Sequence, residues 1–252
     1  FFSDEQEILK AINKKNLNLS KSIKTNILRE DLNKNIINKN TFVNFASINS
    51  KKINQNSVFI GVKGKKFDGN LHADEAIKNK AVLAISNKKF KNLKIIFQQN
   101  PLNVFNKISS TFRKSLDANN IVITGSAGKT SVKELTGFCL KKLAKTYCSK
   151  NSFNNKYGVP LSIFNTQKDA KYAVLEVGMN KKGEINNLTK LINPNLGLIT
   201  NISYAHIENF KNLNKIAEAK GELINNIIPG GTIVINRDDK YYNYFLNKAK
   251  NY

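Results

Sequence analysis

The sequence predicts an α/β fold, in which a small N-terminal α/β domain is followed by a second domain on a mostly parallel sheet, itself incomplete. Three observations predict it. Short β-rich runs alternate with apolar residues at helical spacing, the pattern of strand-helix-strand units. Residues 121–124, Ile-Val-Ile-Thr, run into Gly125-Ser126-Ala127-Gly128-Lys129-Thr130-Ser131 and then a helical stretch, the order of a phosphate-binding loop. The 252 residues exceed the usual size of one hydrophobic core, so two domains are expected, at 1–117 and 118–252.

Taken in order, residues 57–62 read Ser-Val-Phe-Ile-Gly-Val, a β-rich run closed by the turn formers of 63–69. A helix begins near Leu71, with Ala73, Ala76 and Ile77 at helical spacing, and 81–85 supply a buried strand. Pro101 opens a longer helix in which Val104, Phe105, Ile108, Phe112 and Leu116 recur three or four apart. It ends at 117–120 and connects the domains. After the strand at 121–124 and the glycine loop, a helix is expected from Ser131 to about Leu143, then strands at 172–177, 196–201 and 232–236 with helices between them.

The formal charge is +23, but the lysines are scattered and no aromatic-interleaved basic stripe stands out, so nucleic-acid binding is not expected. Cys139 and Cys148 are too far apart for a redox pair, and with His72 and His206 as the only histidines no zinc site of ordinary spacing can be assembled. No apolar run reaches the length of a membrane span, and the start lacks the features of a signal peptide. These readings lead us to expect a cytoplasmic protein; separately from them, a monomer is expected. Because Met179 is the sole methionine and Tyr252 ends inside a Lys/Asn/Tyr-rich segment, a fragment is expected.

In a phosphate loop, glycines let backbone N–H groups turn toward an anion, and the following helix adds the positive end of its dipole. Lys129 would then sit on the β- and γ-phosphates of ATP and Thr130 would offer its hydroxyl to Mg²⁺. The spacing is shorter than the common form, which has a glycine where Ile123 stands. Glu176 ends an apolar strand and is a candidate Mg²⁺ ligand, or a solvated strand-end carboxylate. His206 follows the next strand, as a site residue or as a loop residue. Asn154 and Asn155, near Gly158 and Pro160, read as a turn that could also orient a phosphoryl group.

Lys220 is the most informative residue. Leu213, Ile216, Ala217, Leu223, Ile224 and Ile227 define an apolar helix face, and Lys220 falls on it. A lysine there either snorkels to water or does chemistry, since desolvation lowers its pKa. A neutral amine in such a place can take up CO₂ as a carbamate and become an oxygen ligand for a metal.

Together the motifs resemble the Mur ligases, ATP-dependent amide-forming enzymes of peptidoglycan synthesis. The likeness rests on Ile-Thr-Gly-Ser-Ala-Gly-Lys-Thr-Ser at 123, Ser-Phe-Asn-Asn-Lys-Tyr-Gly-Val-Pro-Leu at 152, Leu-Glu-Val-Gly-Met-Asn at 175, Ile-Thr-Asn-Ile-Ser-Tyr-Ala-His at 199 and Ile-Ala-Glu-Ala-Lys-Gly-Glu at 216. It implies the short glycine loop, two Mg²⁺ sites served by Thr130, Glu176, His206 and a carbamylated Lys220, and an acyl phosphate intermediate. Glu176-Val-Gly-Met-Asn resembles the branch that joins D-alanyl-D-alanine to UDP-N-acetylmuramoyl-tripeptide; tripeptide-forming and folylpolyglutamate-type ligases are the alternatives within the class, and a nucleic-acid-stimulated ATPase the alternative outside it. Phe59-Ile-Gly-Val-Lys-Gly and Phe67-Asp-Gly-Asn resemble the part that binds the UDP-sugar peptide. Asn49-Ser50-Lys51 stands where the family usually has Asp-Ser-Arg, and Asn70 where His is common. The resemblance implies a further C-terminal domain, without which residues 1–252 are expected to have little ligase activity.

Overall fold

Two parallel sheets organise the chain. The computed structural model describes residues 24–28, 30, 32, 42–64, 67–151, 153–204 and 210–250. The chain divides into units Phe1–Phe112 and Arg113–Tyr252.

In the first unit, strands β1 (Phe45–Ser47), β2 (Ser57–Ile60), β3 (Leu83–Ser86) and β4 (Ile95–Phe97) lie side by side in that order, all parallel. Every residue of β2 and β3 is buried, as central parallel strands covered on both faces require. Asp68 accepts from the Asn70 amide and starts a 3₁₀ turn at Gly69–His72, which runs into α1 (Ala73–Lys78). Ala73 and Ala76 of α1 pack with Phe59, Ala81, Ala84 and Ile95. Helix α2 (Pro101–Lys114) buries Phe105, Ile108 and Phe112, three points of the expected apolar stripe. The short strands β1 and β4 have no counterpart in the sequence reading, because three residues at a sheet edge carry too little pattern.

The second unit begins where Arg113 Nε donates to the Ile192 carbonyl at 2.7 Å. Its strands are β5 (Asn119–Thr124), β6 (Thr146–Cys148), β7 (Tyr172–Glu176), β8 (Leu196–Ile199) and β9 (Thr232–Ile235), in the order β6-β7-β5-β8-β9 and all parallel. Its helices are α3 (Lys129–Lys141), α4 (Gly158–Asn165), α5 (Glu184–Ile192), α6 (Leu213–Lys220) and α7 (Tyr242–Lys250). From central β5 the chain moves outward to β6, returns to β7, then crosses to β8 and β9 on the other side. Strands β5 and β8 are therefore neighbours whose connections leave in opposite directions. The carboxyl ends of such a pair open a crevice, the usual ligand position in a parallel sheet. The main core joins α4, α5, α6 and α7 to β7 through Ile163, Leu175, Ile185, Leu188, Ile216 and Phe245.

Candidate functional site

The loop after β5 is held in shape from both sides. Gly125 adopts φ 147°, where side chains are strained, and a Cβ there would collide with Thr200 Oγ1. Gly128, at φ 78°, turns the chain into α3. The first-turn amides of α3 have no partners within the helix, and its dipole adds positive potential, so this end is suited to an anion. Ser131 lies exposed on that first turn.

The segment after β8 braces the loop. Asn201 accepts from Ser126 N through its carbonyl and from Ala127 N through Oδ1, both at 2.9 Å. Thr200 Oγ1 donates to the Ala127 carbonyl at 2.6 Å, and Ser126 Oγ exchanges bonds with Ser203. The amides of Ser126 and Ala127 thus face Asn201. This leaves the Gly128 end of the loop to meet an anion. Thr200 and Asn201 belong to the motif at 199, but nothing local in the sequence marks them as the brace of the loop; their signal is their place after the strand beside β5.

Lys129, half-buried, arches over its own loop and donates from Nζ to the carbonyls of Gly125 at 2.9 Å and Ser126 at 3.2 Å. Burial lowers its pKa, and the Glu176 carboxylate works the other way.

Glu176 closes β7 and is only 1% exposed. Its Oε2 accepts from Thr130 Oγ1 and its Oε1 from Asn154 Nδ2, each at 2.8 Å. Three sequence-predicted residues from three segments therefore meet at one carboxylate. Burial excludes the reading of Glu176 as a solvated strand end. Asn155 turns elsewhere: its Oδ1 accepts from the amides of Tyr157 and Gly158 at 3.0 and 3.1 Å, which shapes the turn leading into α4. A hydroxyl and a carboxylate are hard oxygen donors suited to Mg²⁺. Among the described residues no group of three His, Cys, Asp or Glu could hold a metal ion, so a cation here would complete its shell with water and phosphate oxygens.

Lys220 ends α6 with 2% exposure and donates to the Gly125 carbonyl at 2.8 Å. It points inward to the phosphate loop, not outward to water. Burial, with the nearby Lys129 charge, brings its pKa down to about 7. His206 falls within 205–209, outside the described residues.

In the first unit the two family departures are engaged locally. Asn49 Oδ1 accepts from the Lys51 amide at 3.0 Å, and buried Asn70 joins Asp68 and Asn87. No helix among the described residues is long and apolar enough to cross a membrane.

A glycine loop between a parallel strand and a helix, set at the switch point of the sheet, defines a nucleotide-binding α/β unit. The chain belongs to the Mur ligase family, with residues 123–252 matching the Mur ligase middle domain. It is 34% identical over 210 residues to the UDP-N-acetylmuramoyl-tripeptide--D-alanyl-D-alanine ligase of Buchnera aphidicola, covering 83% of this chain and 46% of that protein. A crystal structure of MurF from Acinetobacter baumannii is similar with a TM-score of 0.80 at 26% identity, over 90% of this chain and 51% of that one. The MurF ligase of Thermotoga maritima in complex with ADP has a TM-score of 0.74 at 29% identity, over 83% and 49%. The chain spans about half the length of these relatives.

Proposed function

We propose that this chain is part of an ATP-dependent ligase that joins D-alanyl-D-alanine to UDP-N-acetylmuramoyl-tripeptide in peptidoglycan synthesis. The carrying observation is the convergence of Lys129, Thr130, Glu176 and Lys220 on the loop after β5, in a chain whose relatives bear that name. The domain expected at 118–252 takes ATP, and the domain expected at 1–117 takes the UDP-sugar peptide. The protein works in the cytoplasm as a monomer.

In this reading the tripeptide carboxylate forms an O–P bond to the γ-phosphorus of ATP while the bond to the ADP oxygen breaks. The amine of D-alanyl-D-alanine then attacks the acyl carbon and displaces inorganic phosphate, losing a proton. The chain supplies position and charge. Lys129 swings from its loop carbonyls onto the β- and γ-phosphates, and Gly125 to Ser131 present the α3 end to them. Thr130 and Glu176 would hold one Mg²⁺, oriented by Asn154, with Asn155 shaping the same turn. His206 and a carbamylated Lys220 would serve a second. When bound, Mg²⁺ offsets the negative charge between nucleotide and carboxylate. The carbamate forms when the neutral Lys220 amine, well populated because its pKa is about 7, bonds to the carbon of CO₂ and releases a proton.

In the full-length protein, Lys129→Ala is expected to lower acyl phosphate formation by at least about 100-fold, read as ADP release that depends on the UDP-tripeptide. Near-normal turnover would sink the assignment. Substrate-independent ADP release stimulated by DNA or RNA would favour an ATPase instead.

A further inference from the structure

We propose that Lys133 is a positioning residue for the Glu176 carboxylate, acting through the turn that carries Ser149, Asn151 and Asn154. The inference rests on the nucleotide reading above and assigns a role to a side chain that reading does not use. Lys133 is completely buried in α3. An ammonium carries three N–H donors, and three acceptors meet it: the carbonyls of Ser149 and Asn151, each at 2.8 Å, and Glu134 Oε1 at 3.0 Å. Glu134 is largely exposed, so much of the buried charge is compensated by the two carbonyls.

A buried charge of this kind is a poor way to gain stability, because an apolar side chain of similar size avoids the desolvation cost. What it gains is geometry. The two clamped carbonyls flank Lys150 and fix a turn in which Asn151 takes φ 48°. Both ends of that turn reach Glu176: Ser149 Oγ accepts from the Glu176 amide at 3.3 Å, and Asn154 Nδ2 donates to Glu176 Oε1 at 2.8 Å. Asn154 is anchored in turn, since its carbonyl accepts from Gly178 N at 2.7 Å. Thr130 lies one helical turn before Lys133, on the same side of α3, and donates to Glu176 Oε2. One turn of α3 therefore fixes both carboxylate oxygens, one directly and one through the turn that Lys133 holds.

The test measures ADP affinity of the full-length protein by calorimetry, with Mg²⁺ and with EDTA, for the wild type, Lys133→Met, Asn154→Ala and the double variant. Partners that orient a metal ligand cost about 10- to 100-fold in metal affinity when lost, so Lys133→Met should weaken ADP binding roughly tenfold with Mg²⁺ and less than about twofold in EDTA. If Lys133 acts through Asn154, the double variant is no worse than the weaker single one. An unchanged Mg²⁺-dependent gain in Lys133→Met, or full additivity in the double variant, overturns the positioning role and leaves the nucleotide reading standing. A wild type that binds no ADP under either condition overturns both. Should Lys133→Met fail to fold, Lys133→Gln, which keeps two donors on a shorter stem, carries the same comparison.

Discussion

The carboxyl edges of the two sheets are finished in contrasting ways. At the end of β3, Ser86 Oγ donates to the Asn70 carbonyl at 3.0 Å, and Asn70 Oδ1 accepts from the Asn87 amide at 2.9 Å. These groups are neutral, so they fix a loop at little desolvation cost. At the ends of β5 and β7 the buried groups include Glu176, and Lys220 and Lys133 close in around them. Burying such charges costs several kcal/mol apiece, and among the described residues none of the three is matched by a close opposite charge that is equally buried. The contrast separates two uses of polarity. Neutral amides shape a surface, whereas charges held by neutral dipoles can change partners when a charged ligand arrives.

Four comparisons would break or sharpen this contrast. The largest effect is expected at Gly125, where alanine adds a clash with Thr200 to a strained φ. Gly125→Ala should cost about 3 kcal/mol in denaturant unfolding of the second unit, against about 1 kcal/mol for Gly128→Ala, whose Cβ would meet nothing within 4 Å. Equal costs would mean that the loop is not pinned by Thr200. In the first unit, Asn70→Ala leaves buried partners unpaired and should cost about 2 kcal/mol.

The third concerns pH. A lysine whose folded pKa is about 7 binds fewer protons than its unfolded form between there and its ordinary value of 10.5. Its destabilising effect is full below about 7 and is relieved as pH rises, so stability climbs by up to about 1.4 kcal/mol per pH unit in that window. Lys220→Met should remove this slope from the second unit. The first unit keeps its own, because burial brings Lys24 to about 7 as well. The smallest effect is expected at the exposed pair Lys145 and Asp169, where Lys145→Ala should change stability by less than about 0.5 kcal/mol.

The central strands, the glycine loop and the odd lysine of α6 were legible because each is a local pattern: β-rich runs, a fixed spacing, a charge on an apolar face. Lys133 was not. On α3 the apolar Leu135 and Phe138 are exposed while Lys133 and Gly137 are buried, so hydropathy points to the wrong face. The reason is contact distance. A Cβ at Gly137 would collide with Cys148 Sγ, so α3 lies close against β6 and its buried side is chosen by smallness and hydrogen bonding. Asn155 reads two ways for a related reason, since an asparagine near a glycine looks the same whether it shapes a turn or faces a ligand. The brace by Thr200 and Asn201 depends on β8 lying beside β5, which only the strand order reveals.

The bond from Lys220 to the Gly125 carbonyl joins residues 95 apart in the chain. A contact of such range closes a long loop and carries its entropy cost unless the intervening strands have already paired. The site is therefore expected to complete late in the folding of the second unit. Binding then selects the finished fold, and by mass action a ligand at one hundred times its dissociation constant adds about 2.7 kcal/mol to its stability. On the proposed function, abundant nucleotide would act on this unit as a folding clamp.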